Sequence, residues 1–178
     1  SGFSGDIIAA AYTPSGVLHL ILADVTGHGL SAALNAIPVV DVFYKMSHKG
    51  CQIGEIAREL NHKLKRLMPI EYFVAAALVA VDETARSITV WNGGVPPVLF
   101  VNQAGSSVES LRSRHMALGI LDDTLFDDTT ETKELAEPGQ LFVFSDGVIE
   151  AANVAGEEFG MERLTKILQS TPFEQRFV

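Results

Sequence analysis

Ala23-Asp24-Val25-Thr26-Gly27-His28-Gly29 is the stretch on which our interpretation of the fold depends. The apolar run Val17–Leu22 before it is typical of a buried strand, and the small residues of Leu30–Ala36 after it favour a helix. The two glycines permit a positive φ in the turn between them. The stretch therefore predicts a strand that carries Asp24 to its end, followed by a glycine turn and a helix.

The chemistry of this turn leaves two interpretations open. A carboxylate beside open backbone carbonyls suits a hard divalent cation, because such ions prefer oxygen ligands. An aspartate can also simply cap a turn, since Asx turns are common. The stretch alone does not decide between a metal ligand and a turn residue.

Composition excludes several classes of protein. The chain has 178 residues, of which 47% are hydrophobic and 20% charged, so it can bury the core of one domain. Its net charge of −9 repels phosphate backbones and anionic membranes, and we expect no nucleic-acid or membrane partner. The single cysteine, Cys51, excludes an internal disulfide and any multi-cysteine metal site, and it is compatible with a cytoplasmic location.

The limits of the chain suggest one part of a larger protein. The longest apolar run, Phe73–Val81, has the length of a strand rather than of a membrane span. The sequence begins at Ser1 instead of Met and ends on Phe177-Val178. These features predict that residues 1–178 are a single output domain, cut from a longer multidomain protein.

The order of predicted elements indicates the fold class. A hairpin comes first (Ile7–Tyr12 and Val17–Ala23, with a Pro-Gly turn), then two helices over Leu30–His48 and Ile53–Leu67, with Pro38 expected to kink or divide the first. A last helix is predicted over Met161–Leu168. Between the helices lie six predicted strands: Phe73–Val81, Ser87–Trp91, Val98–Val101, Ser107–Leu111, Thr129–Glu134 and Gln140–Ser145. This order favours an α+β fold of antiparallel sheets flanked by helices.

Three aspartates share one local context, because each lies where an apolar strand meets a glycine. They are Asp6, Asp24 and Asp146, and the hairpin places the first two side by side. Carboxylates held close together repel one another unless a cation neutralises them. Two Mg²⁺ or Mn²⁺ ions would suit such a site and would activate water toward a phosphoryl group. The alternative is three independent turn aspartates.

Five short blocks resemble successive motifs of one family. They are Ser4-Gly5-Asp6, Asp24-Val25-Thr26-Gly27-His28-Gly29, Asn92-Gly93-Gly94-Val95-Pro96-Pro97, Leu118-Gly119-Ile120 and Phe144-Ser145-Asp146-Gly147-Val148-Ile149-Glu150-Ala151. In this order they resemble the SpoIIE-type (RsbU-like) branch of the metal-dependent protein phosphatases, the protein phosphatase 2C superfamily. The resemblance implies a sandwich of two packed antiparallel sheets flanked by helix pairs. It also implies hydrolysis of phosphoserine or phosphothreonine at a centre of two Mn²⁺ or Mg²⁺ ions.

The resemblance assigns roles to individual residues. Asp6 and Asp146 would hold metal from the outer sides, and Asp24 would bridge the two ions with help from the Val25 carbonyl. Water would then attack phosphorus in line, without a phosphoenzyme. His28 would either assist the leaving group or order the first turn of its helix. Asn92 would either fix its own loop or contact substrate.

Departures from the family pattern leave a second function open. Ile7 and Ile8 stand where the family often has aromatic residues, and Val95 stands where it commonly has His. The chain also stops at Val178, before the acidic pair with which the family ends, so the C-terminal part of the fold is expected to be truncated. A catalytically inactive pseudophosphatase that acts as a binding adaptor in sigma-factor regulation is therefore the alternative.

The resemblance also predicts partners. The substrate would be a phosphorylated regulatory protein, such as an anti-anti-sigma factor with a STAS fold, and a sensor or receiver domain would precede this domain. A homodimer is left open. A haloacid-dehalogenase-type phosphatase is disfavoured, because Phe144 stands where that class needs a nucleophilic Asp two residues before Asp146. No serine with the flanking glycines of a hydrolase nucleophile turn is present.

Overall fold

A computed structural model describes the backbone of residues 5–27, 30–68 and 72–176, and the side chains of these residues except 30–35. The described residues form eight strands and four α-helices, with a short 3-10 helix at Phe173–Gln175. The strands are β1 Asp6–Tyr12, β2 Leu18–Val25, β3 Val74–Asp82, β4 Ser87–Gly93, β5 Val98–Asn102, β6 Val108–Leu111, β7 Glu131–Glu134 and β8 Gly139–Phe142. The helices are α1 Leu30–Lys49, α2 Ile53–Leu67, α3 Asp146–Glu150 and α4 Gly160–Ser170.

The strands form two antiparallel sheets. Sheet A has the order β1-β2-β3-β4-β7, and sheet B has the order β6-β5-β8. Every neighbouring pair of strands is antiparallel. The predicted α+β class, with two antiparallel sheets and flanking helices, is confirmed.

One face of sheet A is covered by α1 and α2. The apolar residues of α2 recur with the 3.6-residue period, and Ile56, Leu60 and Leu64 are fully buried against the sheet. Trp91 and Leu78 meet them from the strands and are also fully buried. Each such side chain contributes roughly 1.5–3 kcal/mol by leaving water, so this layer holds sheet A rigid. No described helix is long and apolar enough to cross a membrane.

The other face of sheet A packs on sheet B. Leu22, Val79 and Val90 from sheet A join Val98 and Phe100 from sheet B in one apolar cluster. Sheet B has fewer strands than sheet A, so it covers only part of this face. Ile8 and Tyr12 of the edge strand β1, which pair with Leu22 and Leu18, are 79% and 66% exposed.

The structure corrects two local predictions about the secondary structure. Of the kink or division predicted at Pro38, the division is wrong. The helix that contains Pro38 is not divided but runs unbroken over Leu30–Lys49. Proline removes one backbone hydrogen bond, yet Val39 and Phe43 immediately after it are fully buried and bind this part of α1 to the sheet. The strand predicted to reach Ser145 ends at Phe142, and Ser145 is instead the N-cap of α3.

We predict that His19 makes stability depend on pH. His19 is buried on β2, where its Nδ1 lies 3.0 Å from Ser47 Oγ of α1, and burial lowers its pKa from the usual value of 6.5. The unfolded chain therefore binds a proton more readily than the folded one. The free energy of unfolding should fall as the pH drops below about 6.5, by at most about 1.4 kcal/mol per pH unit from this group.

Urea unfolding at pH 7.5, 6.5 and 5.5 measures this effect. In the His19→Asn variant, which keeps an amide near Ser47 but does not titrate, the fall should be shallower. Equal slopes in the two proteins would show that His19 does not cause the pH dependence.

Candidate metal centre

Asp6 and Asp24 are brought together by the register of the first hairpin. The β1–β2 ladder pairs Asp6 directly with Asp24. This register is set at the other end by the turn, where Thr13 N donates to Val17 O at 2.9 Å and Gly16 has φ of +86°. Directly opposed residues of an antiparallel pair have Cβ atoms about 4.5–5.5 Å apart. The hairpin therefore places two carboxylates side by side.

Asp146 lies near this pair although it comes from a distant part of the chain. The prediction that Asp146 lies at the end of a strand is wrong, because Asp146 is the first residue of α3. The preceding residue, Ser145, donates from Oγ to Asp6 Oδ2 at 3.4 Å across 139 positions of sequence. A carboxylate at the first turn of a helix is favoured by the helix dipole. The structure thus joins the start of α3 to the start of β1.

The electrostatics of Asp24 show that the three carboxylates interact. The pKa of Asp24 is raised above its usual value, first by burial and then by the charges of Asp6 and Asp146. Asp24 is half-buried, whereas Asp6 and Asp146 are exposed. The fold therefore holds three acidic groups close enough to repel one another, an arrangement that a cation relieves.

Gly5 allows the Val25 carbonyl to approach the aspartates. Val25 N donates to Gly5 O at 3.2 Å. A Cβ on Gly5 would lie only 2.3 Å from Val25 O and 3.2 Å from Asp24 Oδ1. Any side chain at this position would clash with backbone. Because Gly5 has no side chain, two predicted metal ligands, the Val25 carbonyl oxygen and Asp24 Oδ1, can both lie beside it.

These residues fit a hard divalent cation that keeps most of its water. Within residues 5–27, 30–68 and 72–176, no group of three or more His, Cys, Asp or Glu side chains is arranged to hold a metal ion. Mg²⁺, however, is usually bound through only one or two carboxylates and several waters. A pair such as Asp6 and Asp24, with a carbonyl from Val25, supplies oxygen donors of this kind.

The remaining predicted residues have different positions. Asn92 is 2% exposed, and its Nδ2 donates to Pro96 O at 3.0 Å, so its side chain fixes the loop that follows β4. Its backbone oxygen accepts bonds from Arg114 N and His115 N. A contact between Asn92 and substrate stays a prediction. His28 lies outside the described residues.

Ser145 is a site residue that the sequence analysis missed. The signal was present, since a serine before a short acidic helix is a common N-cap residue. That pattern predicts a bond to the nearby backbone, however, and not one to Asp6.

A large groove lies at the opposite end of sheet A. It has a volume of about 610 Å³ and is lined by the first hairpin turn, by His19 and Thr89, and by the start of α2. The three aspartates do not line it. The predicted metal site is therefore separate from this groove and lies at the end of sheet A that carries Asp6 and Asp24.

This architecture is that of the protein phosphatase 2C class. The PP2C phosphatase domain of SpoIIE from Bacillus subtilis, solved with a fragment of its regulatory domain, superposes with a TM-score of 0.79 at 17% identity, over 94% of this chain and 47% of that one. RsbX in complex with magnesium superposes with a TM-score of 0.67 at 14% identity, over 94% and 79% of the two chains. These likenesses show the fold.

The chain belongs to the family described as stage II sporulation protein E (SpoIIE), whose sequence model matches residues 14–176. It is also similar to the phosphoserine phosphatase RsbP of Bacillus subtilis (strain 168), with 25% identity over 154 residues. That match covers 84% of this chain but only 38% of RsbP, so the chain spans well under half the length of this relative.

We predict that Asp24 lowers the stability of the metal-free protein. Asp24→Asn removes the repelled charge without changing the shape of the side chain. In EDTA at pH 7.5 we expect the variant to be more stable to urea by roughly 0.5–1 kcal/mol, because solvent screens these partly exposed groups. Addition of MnCl₂ should stabilise the wild-type protein and have little effect on the variant.

Glu83→Gln is the matched control, since Glu83 is exposed in the β3–β4 turn at the other end of sheet A. Glu83→Gln should change neither the stability to urea in EDTA nor the stabilisation by MnCl₂. If Asp24→Asn destabilises the protein in EDTA, the carboxylates do not repel one another as described.

Proposed function

We propose that this domain is a metal-dependent protein serine/threonine phosphatase that serves as the effector of a bacterial signalling protein. The main observation behind the proposal is that the fold brings Asp6, Asp24 and Asp146 near one another. The pKa of Asp24 is raised first by burial and then by the charges of the other two carboxylates. Membership of the SpoIIE family, and the likeness to a relative named as a phosphoserine phosphatase, support the same reaction.

Each site residue has a part in this proposal. Asp6 and Asp146 would hold metal from the two sides, and Asp24 and the Val25 carbonyl would complete the oxygen donors between them. These residues would hold two Mn²⁺ or Mg²⁺ ions, which would supply an activated water molecule and neutralise the charge of phosphoryl oxygens. The Ser145 hydroxyl orients Asp6 by donating to Oδ2.

The shape of the site suits a phosphorylated side chain on another protein. Asp6 and Asp146 are exposed, and Asp24 is half-buried between them, so the carboxylates face solvent at the end of a sheet. A phosphoserine that projects from a protein surface can reach such a position without entering a deep pocket.

The wider context also belongs to the proposal. The substrate class is a phosphorylated regulatory protein such as a STAS-domain anti-anti-sigma factor, and the expected location is the cytoplasm. The SpoIIE structure that shares this fold includes part of a regulatory domain, which supports a sensor or receiver domain in the full-length protein.

We predict that hydrolysis depends on Mn²⁺ and on Asp24. With MnCl₂, the full-length protein should release phosphate from a phosphoserine peptide and from p-nitrophenyl phosphate, and EDTA should abolish both activities. Asp24→Asn and Asp146→Asn should each lower kcat by about 100-fold or more, because loss of a direct ligand costs at least as much as loss of an outer one. Phosphate release measures both substrates.

Asp123→Asn is the control for these variants. Asp123 is exposed, pairs with His62 of α2 and is not among the predicted site residues, so this change should leave kcat unaltered. A folded wild-type protein that binds no Mn²⁺ and releases no phosphate would overturn the phosphatase proposal and favour the adaptor alternative.

A further inference from the structure

The hydrogen bonds just after Asp24 depart from those of a regular sheet. The β2–β3 ladder ends with the pair Val25–Val74, so Thr26 and Phe73 come next and lie opposite each other. Thr26 N donates to Phe73 O at 3.1 Å, as it would in a hydrogen-bonded antiparallel pair. The ladder therefore continues for one bond beyond the strands.

The second bond of this pair involves a side chain. In a regular pair, Phe73 N would donate to the Thr26 carbonyl. It donates instead to Thr26 Oγ1 at 2.9 Å, and the same hydroxyl donates to Phe73 O at 2.9 Å. A hydroxyl can do both, because it is a donor and an acceptor. The Thr26 side chain thus takes the place of the Thr26 backbone carbonyl.

Because the Thr26 hydroxyl bonds to Phe73 in place of the Thr26 carbonyl, the chain can leave the sheet immediately. The next residue, Gly27, has φ of +103°, a value that a side chain would strain. A Cβ there would lie 3.2 Å from Cε1 of Tyr72, so the turn is also tightly packed. The backbone begins to turn away from sheet A two residues after Asp24.

Val25 and Thr26 are consequently held from opposite sides. Val25 N bonds to Gly5 O on the β1 side, and Thr26 makes its three bonds to Phe73 on the β3 side. The β-branched side chain of Thr26 has restricted χ1 freedom, which favours one position of its hydroxyl. These two sets of bonds fix the backbone immediately after Asp24. They therefore also fix the positions of the Asp24 side chain and the Val25 carbonyl.

We propose that Thr26 is a positioning residue of the metal centre, whose hydroxyl substitutes for its own backbone carbonyl and so holds Asp24 and Val25 O in the arrangement that binds divalent ions. This role rests on the proposed function. It assigns to Thr26 no contact with substrate or with the ions. Groups that orient metal ligands from outside typically change metal affinity by 10–100-fold when they are removed.

The test uses two substitutions in the full-length protein. Thr26→Val keeps the branched shape and the backbone bond to Phe73 O but loses both hydroxyl bonds, whereas Thr26→Ser keeps the hydroxyl. Calorimetric titration with MnCl₂ should give a Kd about 10-fold weaker for Thr26→Val. Thr26→Ser should restore most of the affinity.

Amide hydrogen exchange in EDTA provides a readout without metal. The Phe73 amide should exchange faster in Thr26→Val than in the wild-type protein and in Thr26→Ser. Thr132→Val is the matched control. Thr132 lies on strand β7, far from the aspartates, and its hydroxyl bonds to that of Thr89 at 3.0 Å, so this variant also loses one hydroxyl bond. It should alter neither the Mn²⁺ affinity nor the exchange of Phe73.

The outcomes separate this inference from the proposed function. Wild-type protein that binds Mn²⁺, together with Thr26→Val of equal affinity, would overturn the positioning role and leave the phosphatase proposal standing. Unchanged exchange of Phe73 in Thr26→Val would also overturn it. Wild-type protein that binds no Mn²⁺ would instead contradict the phosphatase proposal, and the exchange result would still decide whether Thr26 fixes the turn.

Discussion

The proposed function of this domain depends on one interaction, the electrostatic repulsion among three carboxylates. The fold holds Asp6, Asp24 and Asp146 near one another, and the pKa of Asp24 is raised first by burial and then by the charges of the other two. A hairpin ladder supplies two of the charges and the start of a helix supplies the third. Such an arrangement lowers stability unless a cation completes it.

The rest of the fold provides the rigidity that this arrangement needs. The sheet that carries Asp6 and Asp24 is packed on one side by α1 and α2 and on the other by the second sheet. Close backbone contacts then refine the end of the sheet, where Gly5 admits the Val25 carbonyl and Thr26 ends the β2–β3 ladder. Packing holds the strands, and local hydrogen bonds orient the atoms that we propose as metal ligands.

Sequence reasoning predicts the parts of this molecule that depend on local patterns. The Pro-Gly turn and two flanking apolar runs are enough to predict the hairpin, and hence the pairing of Asp6 with Asp24. The shared context of a strand that meets a glycine groups Asp146 with the other two aspartates, but this context also fits three independent turn residues, and the family resemblance favours the metal site. The Ser145–Asp6 bond joins residues 139 positions apart, so no local pattern contains it. The unbroken helix at Pro38 likewise depends on tertiary burial that outweighs a local preference.

The most direct test of the account is a crystal structure of the domain grown with MnCl₂, with anomalous scattering used to locate the ions. We expect two Mn²⁺ ions, bound by oxygens from Asp6, Asp24, Asp146 and the Val25 carbonyl at about 2.0–2.6 Å, the range of oxygen ligands to Mg²⁺ and Ca²⁺. Well-ordered aspartates without an anomalous peak between them, at saturating MnCl₂, would contradict it.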